Sequence, residues 1–117
     1  MKAIVIKSDK HLKWKDVPNP TLADGEVLVE IYAAAVNRAD LMQRDGCYPP
    51  PPGCPDWMGL EISGEIVEIG NEAREKSDWK IGDKVCALLG GGGYAQYAAV
   101  KYDMLMPLPK NCTMVEA

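Results

Sequence analysis

Three side chains in this sequence combine useful chemistry with a position between regular elements: Asn37, Tyr48 and Glu61. Tyr48 carries a phenolic O–H, a hydrogen-bond donor. Such a group can donate a hydrogen bond to a carbonyl oxygen that is gaining negative charge. A tyrosine of this kind can equally do no more than pack a loop. Asn37 opens Asn37-Arg38-Ala39-Asp40, a helix N-cap followed by an acid three residues on, and capping alone accounts for it. Glu61 falls in a strand. It is either a satisfied polar residue or the partner of a group that touches substrate, and its type alone fits both.

Metal and phosphate chemistry lack their patterns. Zinc takes three or four converging nitrogen or sulfur ligands. Cys47 and Cys54 are separated by Tyr48, four prolines and a glycine, while Cys86 and Cys112 lie far off in sequence. The one histidine, His11, falls in a hairpin, where a solvated side chain is expected. The run Gly90 to Gly93 could imitate a phosphate-binding loop, but such a loop leads from a strand into a helix. Here Tyr94-Ala-Gln-Tyr-Ala-Ala-Val100 follows, and it reads as a strand. Gly59 and Gly64 have the spacing of a phosphate loop but are followed by Glu65. We expect no metal site, and no nucleotide site made by this chain alone.

The elements that must place these residues are mostly strands. Ala3 to Ile6 fits a strand buried on both faces, and Leu12 to Val17 can pair back on it as a hairpin. After Pro18, Pro20 and Asp24-Gly25, the run Glu26 to Val36 alternates polar and apolar residues in its first half, as a half-buried strand does. Asn37 then changes the period. It caps a helix of about two turns closed by Gly46, with Leu41 and Met42 inside and Gln43, Arg44 and Asp45 outside. Pro49 to Pro55 is too dense in proline for a helix or central strand and reads as a stiff loop, partly polyproline II, not as a ligand for another domain. Gly59 to Gly70 is the clearest strand, with Gly64 marking a bulge or a close backbone approach. Asn71 to Lys80 reads as a charged, solvated loop. Ile81 to Val85 turns into a strand that runs to Leu89, Gly90 to Gly93 is a flexible turn, Tyr94 to Val100 is a further strand, and Met104 to Leu108 is a short last one. Thr113-Met-Val-Glu116 is a capping box, the start of a helix.

The 117 residues suit one domain with a modest core, and 47% hydrophobic with 26% charged residues is ordinary globular composition. A net charge of −4 with scattered lysines argues against a nucleic-acid partner. The apolar run at Ala3 to Ile6 is too short for a signal peptide or a membrane span, so a cytoplasmic protein with no membrane association is expected. The four cysteines are then read as reduced thiols.

The strings AAAVNRADLMQRDGCYPPPPG, GLEISGEIVEIG, WKIGDKVCALLGGGGYAQYAAV and LMPLPKNCTMVEA together resemble the N-terminal catalytic domain of medium-chain dehydrogenases/reductases, closest to the NADPH:quinone oxidoreductase branch. The resemblance extends over nearly the whole chain. It implies a mainly β (β-rich α+β) fold, a GroES-like, partly open β-barrel with one or two short helices, formed by residues 1–117 as an alcohol dehydrogenase N-terminal type domain. In zinc-dependent members a cysteine ligand stands at the place of Asn37, and a histidine at that of Leu60, within a Gly-His-Glu motif that here reads Gly59-Leu60-Glu61. Only Glu61 remains, and the stretch from Val85 to Gly90 leaves no room for a four-cysteine zinc lobe. A zinc-independent enzyme is implied.

The resemblance further implies a Rossmann domain that binds NADPH, and a returning C-terminal segment, neither of which is in this chain. The implied reaction is hydride transfer to a quinone or an enone, with Tyr48 by the substrate carbonyl and Asn37 between nicotinamide and substrate. Leu60 and Glu61 would line the same cleft. The capping box one residue before the last reads as a helix start without a body, hence as a truncated end, and the chain is expected to be inactive alone. Two rivals use the same barrel without catalysis: a stand-alone binding or assembly module, and a co-chaperonin-like ring, for which no hydrophobic mobile loop is evident unless the proline loop serves. Surface left uncovered by the absent parts predicts self-association, by sheet-edge pairing or helix-stub packing.

Overall fold

The computed structural model describes residues 1–117. Seven strands and two short helices follow in the order β1 (Lys2–Ile6), β2 (Leu12–Asp16), β3 (Glu26–Ala34), α1 (Arg38–Arg44), β4 (Glu61–Ile69), α2 (Asn71–Lys76), β5 (Lys84–Leu88), β6 (Tyr97–Lys101) and β7 (Leu105–Pro107), with a single 3-10 turn at Tyr102–Met104. β1 and β2 form a hairpin, and the other five make an antiparallel sheet in the order β6-β3-β4-β5-β7, curled into a half-barrel. The mainly β, GroES-like architecture implied by the resemblance is the one observed. No helix is long and apolar enough to cross a membrane.

The core lies inside the curl. Val27, Val29, Ile62, Ile66, Ile69, Val85, Ala87, Ala98, Val100 and Leu105 meet there, because alternate residues of each strand point to the same face. Trp79 closes one end and donates its indole N–H to the carbonyl of Tyr102 (2.9 Å). The long pair β3–β4 carries two register shifts. Val67 is the extra residue of β4 between the Leu28–Glu68 and Val29–Ile66 pairs, and Tyr32 is the extra residue of β3 between the Ile31–Gly64 and Ala33–Ser63 pairs. Such bulges bend and twist a strand pair, which lets this sheet curl. Gly64 sits where the two backbones nearly touch: a Cβ there would run into the carbonyl oxygen of Glu30.

Several expectations need correction. β1 forms, but only its Ala3 is buried, because its hairpin partner β2 is exposed along its whole length. The hairpin joins the main sheet by a graft: Ile4 N–H donates to the Tyr94 carbonyl (2.8 Å) and Gln96 N–H to the Lys2 carbonyl (3.2 Å). The expected strand Tyr94 to Val100 is thereby divided, its first residues pairing with β1 and the rest, as β6, with β3.

Asn71 to Lys80 is not wholly a loop, since Asn71–Lys76 forms α2. Its only buried residue is Ala73, so it has no apolar stripe to read; Glu72 and Lys76 pair along its exposed side (2.8 Å). In α1 the polar residues Asp40 and Gln43 are buried, while Leu41 and Met42 are half exposed. Leu41 and Met42 thus face outward and Gln43 inward, contrary to expectation, while Asp45 is exposed as expected. At the other end of the chain the capping box closes as expected: Thr113 N–H donates to Glu116 Oε1 (3.2 Å), and Glu116 N–H donates to Thr113 Oγ1 (3.1 Å).

Candidate functional site

β3 leaves the sheet at Ala34, and the chain turns through Ala35, Val36 and Asn37 into α1. Two bonds tie this corner to the start of β4. Ala35 N–H donates to the backbone carbonyl of Glu61 (3.1 Å), and the Asn37 side-chain amide donates through Nδ2 to Glu61 Oε2 (3.2 Å). Asn37 is also the N-cap of α1, in extended conformation, and forms a capping box with Asp40: the Asn37 backbone N–H donates to Asp40 Oδ2 (2.7 Å). Capping and contact with Glu61 are therefore both real at Asn37.

Of the four residues singled out, the structure brings Asn37 and Glu61 together. Leu60 precedes Glu61, half buried, and its carbonyl accepts the Leu89 N–H (2.7 Å), which binds it to the end of β5. Tyr48 lies in the loop after α1, 42% exposed, and hydrogen-bonds to no other residue. His11 lies in the exposed hairpin beside Asp9 (3.2 Å). All four cysteines are free thiols. Burial, with the charge of Glu61 and then the neighbouring Cys112, pushes the Cys86 thiol above its usual value. No group of three or more His, Cys, Asp or Glu side chains converges as a metal site would.

The donor set at the corner is an amide, an aliphatic side chain and one carboxylate. Leucine cannot ligate a metal, and the Asn37 amide nitrogen is a donor, occupied by Glu61. A tetrahedral zinc site does not fit these residues.

Four more residues, missed by inspection of the sequence, stand behind the corner. Tyr94 donates its O–H to Asp40 Oδ2 (2.6 Å), with the Ala35 carbonyl 3.1 Å from the same phenolic oxygen. Burial, then the hydrogen bond to Asp40 and its charge, hold the Tyr94 phenol well above the ordinary tyrosine range. Gln43 and Trp57 flank Gly91, and the Gln43 amide atoms, Trp57 Nε1 and Asp40 Oδ1 are buried without a protein partner. The available signal was spacing: Asp40 and Gln43, three apart, share one face of a short helix.

The glycine run is packed rather than flexible, contrary to expectation. Gly91, Gly92 and Gly93 are buried. A Cβ at Gly90 would lie 2.6 Å from Cys54 Sγ, at Gly91 2.9 Å from the Pro55 carbonyl oxygen, and at Gly92 2.9 Å from Pro55 Cγ. Backbone bonds from Gly92 N–H to Trp57 O (2.8 Å) and from Gly93 N–H to Gly59 O (2.9 Å) stitch the two segments. The side-chain-free track lets the stiff proline loop lie against the sheet.

Comparison with known proteins agrees with this architecture. The alcohol dehydrogenase GroES-like domain family matches residues 23–110. A trans-enoyl reductase, thnE, of Trichoderma harzianum is 32% identical over 111 residues, covering 88% of this chain and 29% of the relative. The quinone oxidoreductase of Mus musculus is 33% identical over 97 residues, covering 82% of this chain and 28% of the relative. The quinone oxidoreductase of Thermus thermophilus, solved also in complex with NADPH, superposes with a TM-score of 0.73 at 31% identity, over 97% of this chain and 34% of that one. The chain thus spans about a third of the length of the proteins it matches.

Proposed function

The chain belongs to the alcohol dehydrogenase GroES-like domain family, and from that premise we propose that it is the substrate-side domain of a zinc-independent, NADPH-dependent quinone or enone oxidoreductase. The similarity to quinone oxidoreductases and an enoyl reductase supports the reaction class. The observation that carries the reading is the Asn37–Glu61 pair, at positions that the resemblance assigns to the metal site of zinc-dependent members.

Two neutral donors take the place of a Lewis acid in this reading. One N–H of the Asn37 amide is held by Glu61, which fixes the plane of the group and leaves the other N–H to meet a carbonyl oxygen. The Tyr48 O–H, with no partner in the protein, is the second donor, delivered by the loop as substrate enters. Both stabilise negative charge as it develops on the carbonyl oxygen. Leu60 offers an apolar wall beside Glu61, and Asn37 is the residue shared by the substrate and the nicotinamide edge.

Pro51, Cys54 and Pro55 pack against the one glycine run of this chain, which supports placing the dinucleotide phosphates elsewhere. In this reading a separate domain holds the NADPH phosphates, while this chain supplies the carbonyl donors and, through Asn37, a contact at the nicotinamide edge. The chain alone is without turnover in this reading. The half-exposed apolar side chains of Leu88, Met104 and Met106 near the β5–β7 edge support self-association of the uncovered domain.

The test is a fusion of this chain to the dinucleotide-binding domain of a quinone oxidoreductase. The fusion should reduce quinones or enones with NADPH, and Asn37→Ala should lower kcat by about 10²-fold, the usual effect of losing one oxyanion donor. A folded, NADPH-binding fusion in which Asn37→Ala and Tyr48→Phe both leave kcat/KM unchanged would overturn the assignment.

A further inference from the structure

We propose that Asp40 and Tyr94 are positioning residues, a pair of a buried carboxylate and a half-buried phenol that fixes the first turn of α1 and so sets the place of the Asn37 amide. The inference rests on the substrate role proposed for Asn37, although its test needs no substrate.

A surface capping box has no need of a buried acid, because water satisfies the carboxylate. Asp40 is only 3% exposed, and a carboxylate so enclosed is costly unless it is hydrogen-bonded. Its Oδ2 takes two donors, the Asn37 backbone N–H at 2.7 Å and the Tyr94 O–H at 2.6 Å. The second comes from a segment 54 positions away, so it ties the helix start to another part of the fold. A phenol has one proton to give. The shorter, charge-assisted contact takes it, and the Ala35 carbonyl is a neighbour rather than a second acceptor.

Tyr94 is a firm anchor. Its N–H donates to the Met58 carbonyl (2.9 Å) and its carbonyl accepts the Ile4 N–H (2.8 Å), between the glycine track and β1. The corner it steadies has little packing of its own, for Val36, next to Asn37, is 87% exposed. Ala35 is held to β4 through its backbone, and Asn37 is held from behind through Asp40. Removing the phenolic O–H leaves the carboxylate without its outside donor and lets the Asn37 amide swing away from Glu61.

The experiment uses the 15N-labelled 117-residue chain and follows the side-chain NH2 resonances of Asn37, assigned with Asn37→Gln. Tyr94→Phe is expected to move these resonances, speed their hydrogen exchange about tenfold, and abolish the shift that Glu61→Gln produces in the parent chain. Tyr97→Phe, which removes a hydroxyl without a protein partner, should leave them in place. A purely structural role predicts a lower Tm with the Asn37 resonances unmoved, and that result in folded Tyr94→Phe overturns the proposal. If Tyr94→Phe does not fold, Asp40→Asn decides by the same readout. Loss of activity by Asn37→Ala in the fusion is a separate measurement, so failure of the substrate assignment and failure of the positioning pair are told apart.

Discussion

The Asn37 amide nitrogen lies 3.2 Å from the Glu61 carboxylate, although 24 positions separate the two residues in sequence. The bond joins the N-cap of α1 to the first residue of β4, and the β3–β4 ladder beside it makes it possible. Ala35 N–H bonds the Glu61 backbone one step beyond the last regular strand residue, which brings the side chain of Asn37 within reach. Behind this polar pair at the sheet corner stands a second one, Asp40 with Tyr94 (2.6 Å).

Glycines at close approaches should be far less replaceable than glycines in open turns. A Cβ at Gly64 would meet the Glu30 carbonyl oxygen, and one at Gly59, where φ is +108°, would overlap the Tyr94 amide nitrogen. Both contacts are with backbone, which cannot step aside. Gly64→Ala and Gly59→Ala should each cost about 3 kcal/mol or more in urea unfolding. Gly46→Ala, at φ +81° in open space, should cost only the strain of a left-handed residue, about 1–2 kcal/mol. Equal losses at all three positions would contradict the packing of the sheet described above.

Ionisation of Tyr94 should weaken the fold at alkaline pH. Its phenol titrates above the ordinary value of about 10 because burial and Asp40 favour the neutral form. A group whose folded pKa is raised contributes its full stability below the unfolded pKa and loses it as pH rises through the folded one. The parent chain should therefore show a late phenolate absorbance step that coincides with loss of ellipticity. Tyr94→Phe should lack this step, while the raised step of exposed Tyr32, bound to Glu65, persists in both. A Tyr94 that titrates with free tyrosine would contradict the pair with Asp40.

Much of this was legible in the sequence, for physical reasons. The hairpin follows from a short β-rich run with Leu12 to Val17 able to pair back on it, β3 from the period-two alternation of its first half, and β4 with its close approach at Gly64 from a glycine set among branched residues. The α1 cap follows from the Asn37–Asp40 spacing. What was hidden depends on partners distant in the chain. α2 buries only Ala73, so no apolar periodicity announces it. Asp40 and Gln43 face inward because the glycine track and Tyr94 lie behind α1, and helix periodicity by itself sends Leu41 and Met42 there instead. The glycine run reads as flexible because nothing local to it shows that the proline loop lies across it. Asn37 and Glu61 were each legible as candidates, but their contact was not.

Self-association should be visible in solution. Leu88 on β5 and Met106 on β7 lie 58% and 48% exposed near a sheet edge that has no further strand. Sedimentation velocity should show a mass that rises with concentration, and Met106→Lys should reduce the rise. A single monomeric species at high concentration would contradict this.

The most direct test of the central claim is NADPH oxidation by the purified 117-residue chain with a quinone as acceptor. The account predicts a rate no greater than that of buffer and no saturable binding of NADPH, because the proposed function assigns the phosphates to a separate domain. Saturable NADPH binding, or turnover by the chain on its own, would contradict it.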